Sequence, residues 1–356
     1  MVATGLTALG SLRGAIEAAE GDSTVPTRLL YIPPDSLSIT PTLENIEDRR
    51  EWAKGFDSMA NVYPGMEDWT ISITGVPMSF EDAGWWWCAW AKSGSAAGAV
   101  IDTSGYERTW TPSQTSSVVG AGVESLHLQY SSTDLIGTFG LSLPGLVGEN
   151  LSLHFRKRAS GTDTGLTMDM TFRTSKAAVP ITAFTGGALS DRTQTFALGQ
   201  QLKAYVDTTA GGLGGTGDTN ITEFDLDINR PALFHDGMDG TGVHTSMHRG
   251  NAEITASFLR KFNDLIEYNA WKGATYAKTL RAIRVEATGA KVGAATALNT
   301  IRADFVGKAI DSGQFPERVD GMFYQRINLA GVYDATLGAS AELYTLNSVS
   351  AAYDTA

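Results

Sequence analysis

The sequence predicts a mainly β protein with two tandem domains of the sandwich or barrel type, each carrying a short helix. Many segments alternate apolar and polar residues with a period of two, and Gly, Ser, Thr and Asp separate them. Such segments form strands that bury one face. Helical periodicity is scarce, and one order of predicted elements occurs twice, in residues 36–92 and again in residues 222–273.

Each of these two segments starts with an alternating strand, continues through a long charged loop to a second strand, and ends in an aromatic-rich helix. The second strands are predicted around Ile71 and Ile254, and the helices over residues 81–92 and 261–274, with Ser79 as an N-cap of the first helix. Identity between the segments is low, so only the pattern repeats. A duplicated β unit is typical of a subunit that assembles with copies of itself.

The domain boundary is predicted near residue 210, where the chain is rich in glycine and unusual backbone angles cost little. The two β domains are then residues 26–210 and 211–356. Leucines in residues 1–25 stand at near-helical spacing, which predicts a short helix or a mobile N-terminal arm.

Composition excludes several classes of function. Charged residues make up 19% of the chain and the net charge is −12, whereas a protein that grips nucleic acid by its phosphates is basic. The one cysteine, Cys88, predicts a buried thiol and no intrachain disulfide. We expect no signal peptide, because the start of the chain lacks a positively charged segment followed by a long apolar run. We also expect no membrane association, because no apolar run is long enough to span a bilayer.

No catalytic, cofactor or metal site is predicted. The run Gly212–Gly217 has the letters of a dinucleotide-binding turn, but a strand pattern follows where the pyrophosphate needs a helix. His244 and His248 have the spacing of a helical zinc pair, but the surrounding glycines disfavour a helix and a third ligand is missing. The sequence has no nucleophile elbow and no recognisable catalytic triad, so the protein is predicted not to be an enzyme.

The first predicted helix carries four tryptophans, Trp85, Trp86, Trp87 and Trp90. Adjacent aromatic residues on a helix cannot share one face, so more than one surface must cover them. One interpretation is core packing within a single domain. The other makes them subunit-contact residues on a helix that lies between its own domain and a neighbouring subunit, since aromatic residues are enriched at such contacts.

The two charged loops contain large apolar residues, which predicts contact with another subunit or, alternatively, a flap within the domain. We assign the docking role to two groups of residues. The first loop contributes Ile46, Glu47, Asp48, Arg49, Arg50, Trp52 and Phe56. The second loop contributes Leu233, Phe234 and His235.

In the order of its elements, the chain resembles the major tail tube proteins of long-tailed, siphovirus-type bacteriophages. The resemblance covers most of the chain and is diffuse. The segments that carry it are Thr27–Tyr31, Tyr106–Ser113, Val123–Gln129 and Phe323–Thr336. It implies two tandem tail-tube-type domains whose sheets join side by side into rings, and rings that stack through the N-terminal arm and the long loops into a hollow tube.

The resemblance also implies a passive function in the virion, as a conduit for DNA ejection that is assembled in the host cytoplasm. A duplicated chain would form a ring of three copies, or six if the second half is a decoration. The tape-measure protein and tail-end proteins would be partners, and DNA would pass the lumen without tight binding. Asp225 and Asp227, on the polar face of their predicted strand, are candidates for the lumen lining.

Two other function classes remain open from the sequence. An outer-membrane barrel would suit an acidic, glycine-rich, alternating chain, although the missing signal peptide and the internal helices disfavour it. A glycan-binding or hydrolase sandwich would need exposed aromatic residues beside carboxylates, with Trp69 and Trp110 as candidates.

Overall fold

The computed structural model describes most of the chain between residues 10 and 353. Outside the described residues lie 1–9, 18–20, 22–25, 27, 31, 49–60, 92–97, 103, 113–116, 119–124, 134–137, 158–164, 175, 183, 185–193, 236–245, 263–265, 273–277, 294–295, 311–316, 320, 351–352 and 354–356. The predicted mainly β class is confirmed, since strands dominate the described part and only two α-helices accompany them there.

Five strands form what we call the N-terminal sheet: β1 (Gly10–Glu17), β2 (Arg28–Leu30), β8 (Ser125–Thr133), β9 (Thr138–Arg156) and β11 (Val179–Ile181). Their order is β2-β1-β8-β9-β11, and all neighbours are antiparallel. Only the first part of the long strand β9 lies in this sheet, because its second part pairs elsewhere.

The central sheet takes up the second part of β9. Its other strands are β3 (Leu37–Asp48), β4 (Asn61–Pro77), β10 (Leu166–Thr174), β13 (Ile221–Asn229), β16 (Glu253–Lys261), β19 (Glu317–Val319) and β20 (Met322–Gly331). The antiparallel order is β3-β4-β10-β9-β13-β16-β20-β19. Period two places polar residues on one face, as in β10, where buried and half-buried residues alternate along the whole strand.

Six strands form the C-terminal sheet: β5 (Ala99–Asp102), β6 (Gly105–Trp110), β12 (Leu202–Asp207), β17 (Leu280–Lys291), β18 (Leu298–Ala309) and β21 (Ala341–Asn347). Their antiparallel order is β12-β17-β18-β21-β6-β5. The end of β18 also pairs with β20, so the C-terminal and central sheets are continuous. A separate small sheet has the order β14-β15-β7, from β14 (Ala232–His235), β15 (Ser246–Arg249) and β7 (Ser117–Val118).

The two helices are α1 (Ala83–Ala91), which follows β4, and α2 (Ile266–Lys272), which follows β16. Ser79 Oγ accepts a hydrogen bond from the backbone N–H of Asp82 at 3.1 Å, which confirms Ser79 as a cap near the start of α1. α1 contacts β8 and β9 on one side and β6 and β21 on the other. The helix therefore lies inside the main hydrophobic core, between sheets that come from both halves of the chain.

Six strand pairings occur twice in the chain, with the same connectivity. They are β1–β8 with β12–β17, β3–β4 with β13–β16, β4–β10 with β16–β20, β8–β9 with β17–β18, β9–β10 with β18–β20, and β9–β11 with β18–β21. The helices obey the same rule, since α1 contacts β9 and α2 contacts β18. The recurrence of order that the sequence predicts thus extends to the pairing of the strands.

The N-terminal region differs from the predicted helix. Gly10–Glu17 is strand β1, held between β2 and β8, and Leu12 and Ile16 are buried. The near-helical spacing misled because residues four apart, such as Leu12 and Ile16, also lie on the same face of a strand.

The predicted division at residue 210 does not coincide with a break in pairing. β12 precedes residue 210 and pairs with β17, β9 pairs with β13, and β6 pairs with β21. Tyr353 packs against Trp110, so the end of the chain reaches the first half. The division into residues 26–210 and 211–356 stays a prediction, and the recurring pairings place the start of the second set at β12.

Candidate assembly surfaces

The first predicted docking loop is mostly strand where the structure describes it. Ile46, Glu47 and Asp48 belong to β3 and pair with Tyr63, Val62 and Asn61 of β4. The sequence predicts a loop here because charged residues interrupt the alternation of apolar and polar residues. The other docking residues of this segment, Arg49, Arg50, Trp52 and Phe56, lie outside the described residues.

The far part of the β3–β4 hairpin extends past its neighbouring strand. β10 pairs with β4 only from Trp69 to Pro77. Arg173 on β10 forms an ion pair with Asp68, and the backbone N–H of Ala178 donates to Glu67 at 3.3 Å. Beyond this anchor, the described parts of the two strands pair only with each other, over about 20 Å at roughly 3.3 Å per residue.

The second predicted docking loop folds back onto its own chain. Leu233, Phe234 and His235 lie on β14, which pairs with β15 in the small sheet. Phe234 packs against a small apolar cluster that includes Met247, and the Arg173 guanidinium lies over its ring at 4.4 Å. Phe234 is therefore half-buried against its own chain, while Leu233 is 55% exposed and His235 is also exposed, and the docking role of the three residues stays a prediction.

Two arginines fix the base of this folded-back hairpin. Arg249 on β15 is buried, donates to the Trp90 carbonyl at 2.9 Å and to the Gly148 carbonyl, and lies over the Trp90 ring at 5.0 Å. Arg230 donates from Nε to the Gly250 carbonyl at 3.0 Å. Arg249 thereby supplies donors to a carbonyl at the end of α1, where helix carbonyls lack partners within the helix.

The four helix tryptophans are core residues. Trp85, Trp86, Trp87 and Trp90 are each at most 4% exposed within the single chain. Each indole faces a different neighbour: Trp86 contacts Phe172 of the central sheet at 6.5 Å between ring centroids, and Trp87 contacts Trp110 of the C-terminal sheet at 5.7 Å. More than one surface covers them, as expected, but the chain itself provides those surfaces. The subunit-contact role is thereby corrected.

The two candidate lumen carboxylates differ in their surroundings. Asp225 is 9% exposed, and its oxygens contact Arg156, His154 Nδ1 at 2.7 Å and Ser257 Oγ at 3.3 Å. Asp227, two residues along the same face of β13, is half-buried. Asp225 thus forms part of a charge network, which the sequence pattern alone could not distinguish from a free acidic residue.

Opposite charges control ionisation in this network. Burial alone would raise the pKa of Asp225, but hydrogen bonds from His154 and the charge of Arg156 lower it overall. The hydrogen bond to Asp225 raises the pKa of His154 against the opposing effect of burial, and Asp169, 3.3 Å from His154 Nε2, adds to the rise. The polar face of the central sheet therefore carries both signs of charge.

A second charge network, which the sequence analysis missed, crosses the polar face of the C-terminal sheet. Asp304 is fully buried and accepts two hydrogen bonds from Arg284, both at 2.7 Å. This bidentate contact raises the pKa of Arg284. Burial and the nearby Glu107 raise the pKa of Tyr344 to about 12. Only the register of the paired strands brings these residues together, so the network could not be predicted from their positions in the sequence.

Several sheet edges carry exposed apolar side chains. Val100 and Ile101 lie on β5, which pairs only with β6 among the described strands. Ile310, Met322 and Phe323 lie around β19, and all three are about half exposed. Strand edges with apolar side chains are surfaces on which another chain can pair.

The described residues contain no group of three or more His, Cys, Asp or Glu side chains that could hold a metal ion. None of the described helices is long and apolar enough to cross a membrane. Cys88 is buried and forms no disulfide. No protein-family model and no curated protein matches this sequence.

Proposed function

We propose that this chain is a structural virion protein that assembles into stacked rings, which form the hollow tail tube of a long-tailed bacteriophage. Three chains make one ring, because each chain supplies two equivalent units and single-domain tail tube proteins, which the chain resembles, are expected to form six-membered rings. The tube is a conduit for DNA ejection and performs no catalysis. It is assembled in the host cytoplasm together with the tape-measure protein and tail-end proteins.

The observation that carries the proposal is the repetition of six strand pairings within one chain. A unit that already packs beside its own copy has the complementary surfaces needed to add further copies. Repeated head-to-tail contacts of this kind close into a ring when the rotation between units divides a full turn. The resemblance to tail tube proteins points to the same arrangement.

The β3–β4 hairpin supports stacking. Its far part has no other strand beside it in the described residues, while its base is anchored by the Arg173–Asp68 ion pair. A paired, anchored hairpin can reach a neighbouring ring at a lower entropic cost than a loose loop. In this proposal the far part of the hairpin is the inter-ring contact.

The polar face of the central sheet supports a lumen role. Serine, threonine and asparagine dominate it, and its cations are matched by Asp225 and neighbouring carboxylates. With a net charge of −12 on the whole chain, such a wall would not retain DNA, because retention needs unmatched positive charge. Asp227 is the better-placed lumen carboxylate, since Asp225 is largely occupied by Arg156 and His154.

Negative-stain electron microscopy of the purified full chain tests the proposal. We expect hollow tubes or stacked rings of uniform diameter. A second preparation, in which residues 46–62 are replaced by a short Gly-Ser turn, should give single rings without stacking. Monomeric particles in both preparations over a range of protein and salt concentrations would contradict the function.

A further inference from the structure

The β9–β13 pairing is one of those without a counterpart among the six repeated pairings, and it joins the first set of strands (β1 to β11) to the second set (β12 to β21). In the second set, β13 lies between two strands, β16 and β9. In the first set, β3 corresponds to β13 but pairs only with β4 among the described strands. The missing partner of β3 is therefore a strand that corresponds to the second part of β9.

The described parts of the chain that correspond to this strand are the end of β18 with Ile310, and β19. The end of β18 pairs with β20, the Ile310 backbone N–H donates to the Asn328 carbonyl at 2.8 Å, and β19 pairs with β20. These described parts lie beside β20 as β9 lies beside β10. β19 has one strand neighbour within the described part of the chain, so its other edge is unpaired there.

We propose that β3 of one copy pairs antiparallel with the β19 edge of a second copy, reproducing between chains the β9–β13 junction found within each chain. This inference deepens the proposed function and rests on it for the biological setting. The contact is heterologous, because two different edges meet, so each copy offers one edge of each kind and successive copies can join into a ring.

Burial on the two corresponding strands supports this assignment. The apolar residues of β13, such as Phe224 and Leu226, are completely covered because strands flank them on both sides. On β3, Leu37 and Ile39 pack against the same core but are only half-buried. A strand docked beside β3 would remove that remaining apolar surface from water.

The β19 edge has matching apolar character. Ile310, Met322 and Phe323 are 52%, 46% and 52% exposed. Phe323 pairs with Arg318 in the β19–β20 ladder, so the apolar surface adjoins the open edge. On β3, Pro41 has no N–H to donate, so we place the new ladder at Leu37–Thr40, before that position.

Crosslinking between singly substituted chains tests the junction. Ser38→Cys and Arg318→Cys are made in a Cys88→Ala background; both positions are exposed. The two variants are mixed, allowed to assemble, and treated with a short bis-maleimide, which tolerates a small error in register. We expect crosslinked dimers from the mixture and none from either variant alone. A mixture of Ser38→Cys with Lys203→Cys, on the exposed β12 edge, is the control and should give none.

The outcomes separate the junction from the tube. Tubes in the micrographs without a 38–318 crosslink would overturn the junction and leave the tube standing. Crosslinked closed rings that never stack would support the junction and contradict the tube. Monomers without crosslinks would overturn both.

A charge on the edge gives a second measurement. Ile39→Lys should retain the far-ultraviolet circular dichroism of the wild type and reduce the assembled fraction at least tenfold. Val100→Lys places the same charge on the β5 edge and should assemble normally. Equal assembly of the two variants would overturn the role of β3.

Discussion

The two corresponding hairpins, β3–β4 and β13–β16, differ in what lies beside them. β13–β16 is flanked by β9 and β20, and its far end continues into the small sheet held by Arg249 and Arg230. β3–β4 has β10 on one side only, and its far part extends past that neighbour. The same order of elements therefore gives one hairpin inside the sheet, β13–β16, and one hairpin with an open edge, β3–β4. The open edge is the surface available to another copy of the chain.

The two helices also differ in burial, since the tryptophans of α1 are buried and Ile266 of α2 is half exposed. A substitution in α1 is expected to have the largest effect on stability. Trp87→Ala on α1 should lower the free energy of unfolding by about 3–5 kcal/mol, because it opens a cavity beside Trp110. Ile266→Ala on α2 should change it by less than about 1 kcal/mol, since Ile266 is half exposed. Urea unfolding followed by tryptophan fluorescence and circular dichroism measures both. Equal losses would contradict the core role of α1.

Lysine substitutions compare β13, which has a strand on each side, with β3, which has an open edge. Asp225→Lys should destabilise the chain by about 2–4 kcal/mol, because Arg156 and His154 would then face another cation. Thr40→Lys on β3 should cost less than about 0.5 kcal/mol, since that side chain is exposed. Thermal unfolding of the two variants checks the difference. A neutral Asp225→Lys would show that the network contributes nothing to folding.

Asp227→Lys isolates the lumen role from stability. Because Asp227 is half-buried, this variant should remain folded and assemble. In a phage carrying it, DNA ejection should slow while tail length stays normal, since a positive wall would retain phosphates. Ejection at the wild-type rate would contradict its placement in the lumen.

Close packing around the C-terminal end of α1 predicts a smaller loss. A methyl group on Gly148 would stand 2.3 Å from a carbon of the Trp90 ring, so Gly148→Ala should cost about 1–3 kcal/mol. Gly211→Ala is the matched control, because nothing lies within 4 Å of its added methyl group. Chemical denaturation of both variants should separate them, and identical midpoints would refute the tight contact.

The smallest expected effect depends on pH. The pKa of His154 is raised, chiefly by its hydrogen bond to Asp225. Its contribution to stability is therefore complete below the ordinary histidine pKa of about 6.5 and is lost as the pH rises through the folded-state value. Between about pH 8 and pH 6 the wild type should gain up to about 1 kcal/mol relative to His154→Gln. Parallel pH profiles for the two proteins would contradict the pairing.

Period-two patterns predict the strands around Ile71 and Ile254, and the aromatic run predicts α1. Those features are local, so the sequence contains them directly. The extension of β3 to Asp48 was missed because charged residues interrupt the apolar alternation, and on an edge strand there is no second sheet neighbour to require it.

Contacts set by tertiary register could not be predicted. Nothing near Asp304 in the sequence points to Arg284, and nothing near Trp90 points to Arg249, which is 159 positions away. The sequence predicts Phe234 as a docking residue because charged residues stand beside it in the chain. In the structure, the guanidinium over its ring belongs to Arg173, which lies on a different strand. Intrachain and interchain contacts use the same residue types, so composition alone could not separate them.

The mass of a single ring tests the central claim most directly. Replacing residues 46–62 by a short turn should prevent stacking while leaving the β3 segment Leu37–Thr40 intact. Native mass spectrometry of this variant should then give a species of three times its chain mass. A particle of one chain mass at every concentration would contradict self-assembly through these edges.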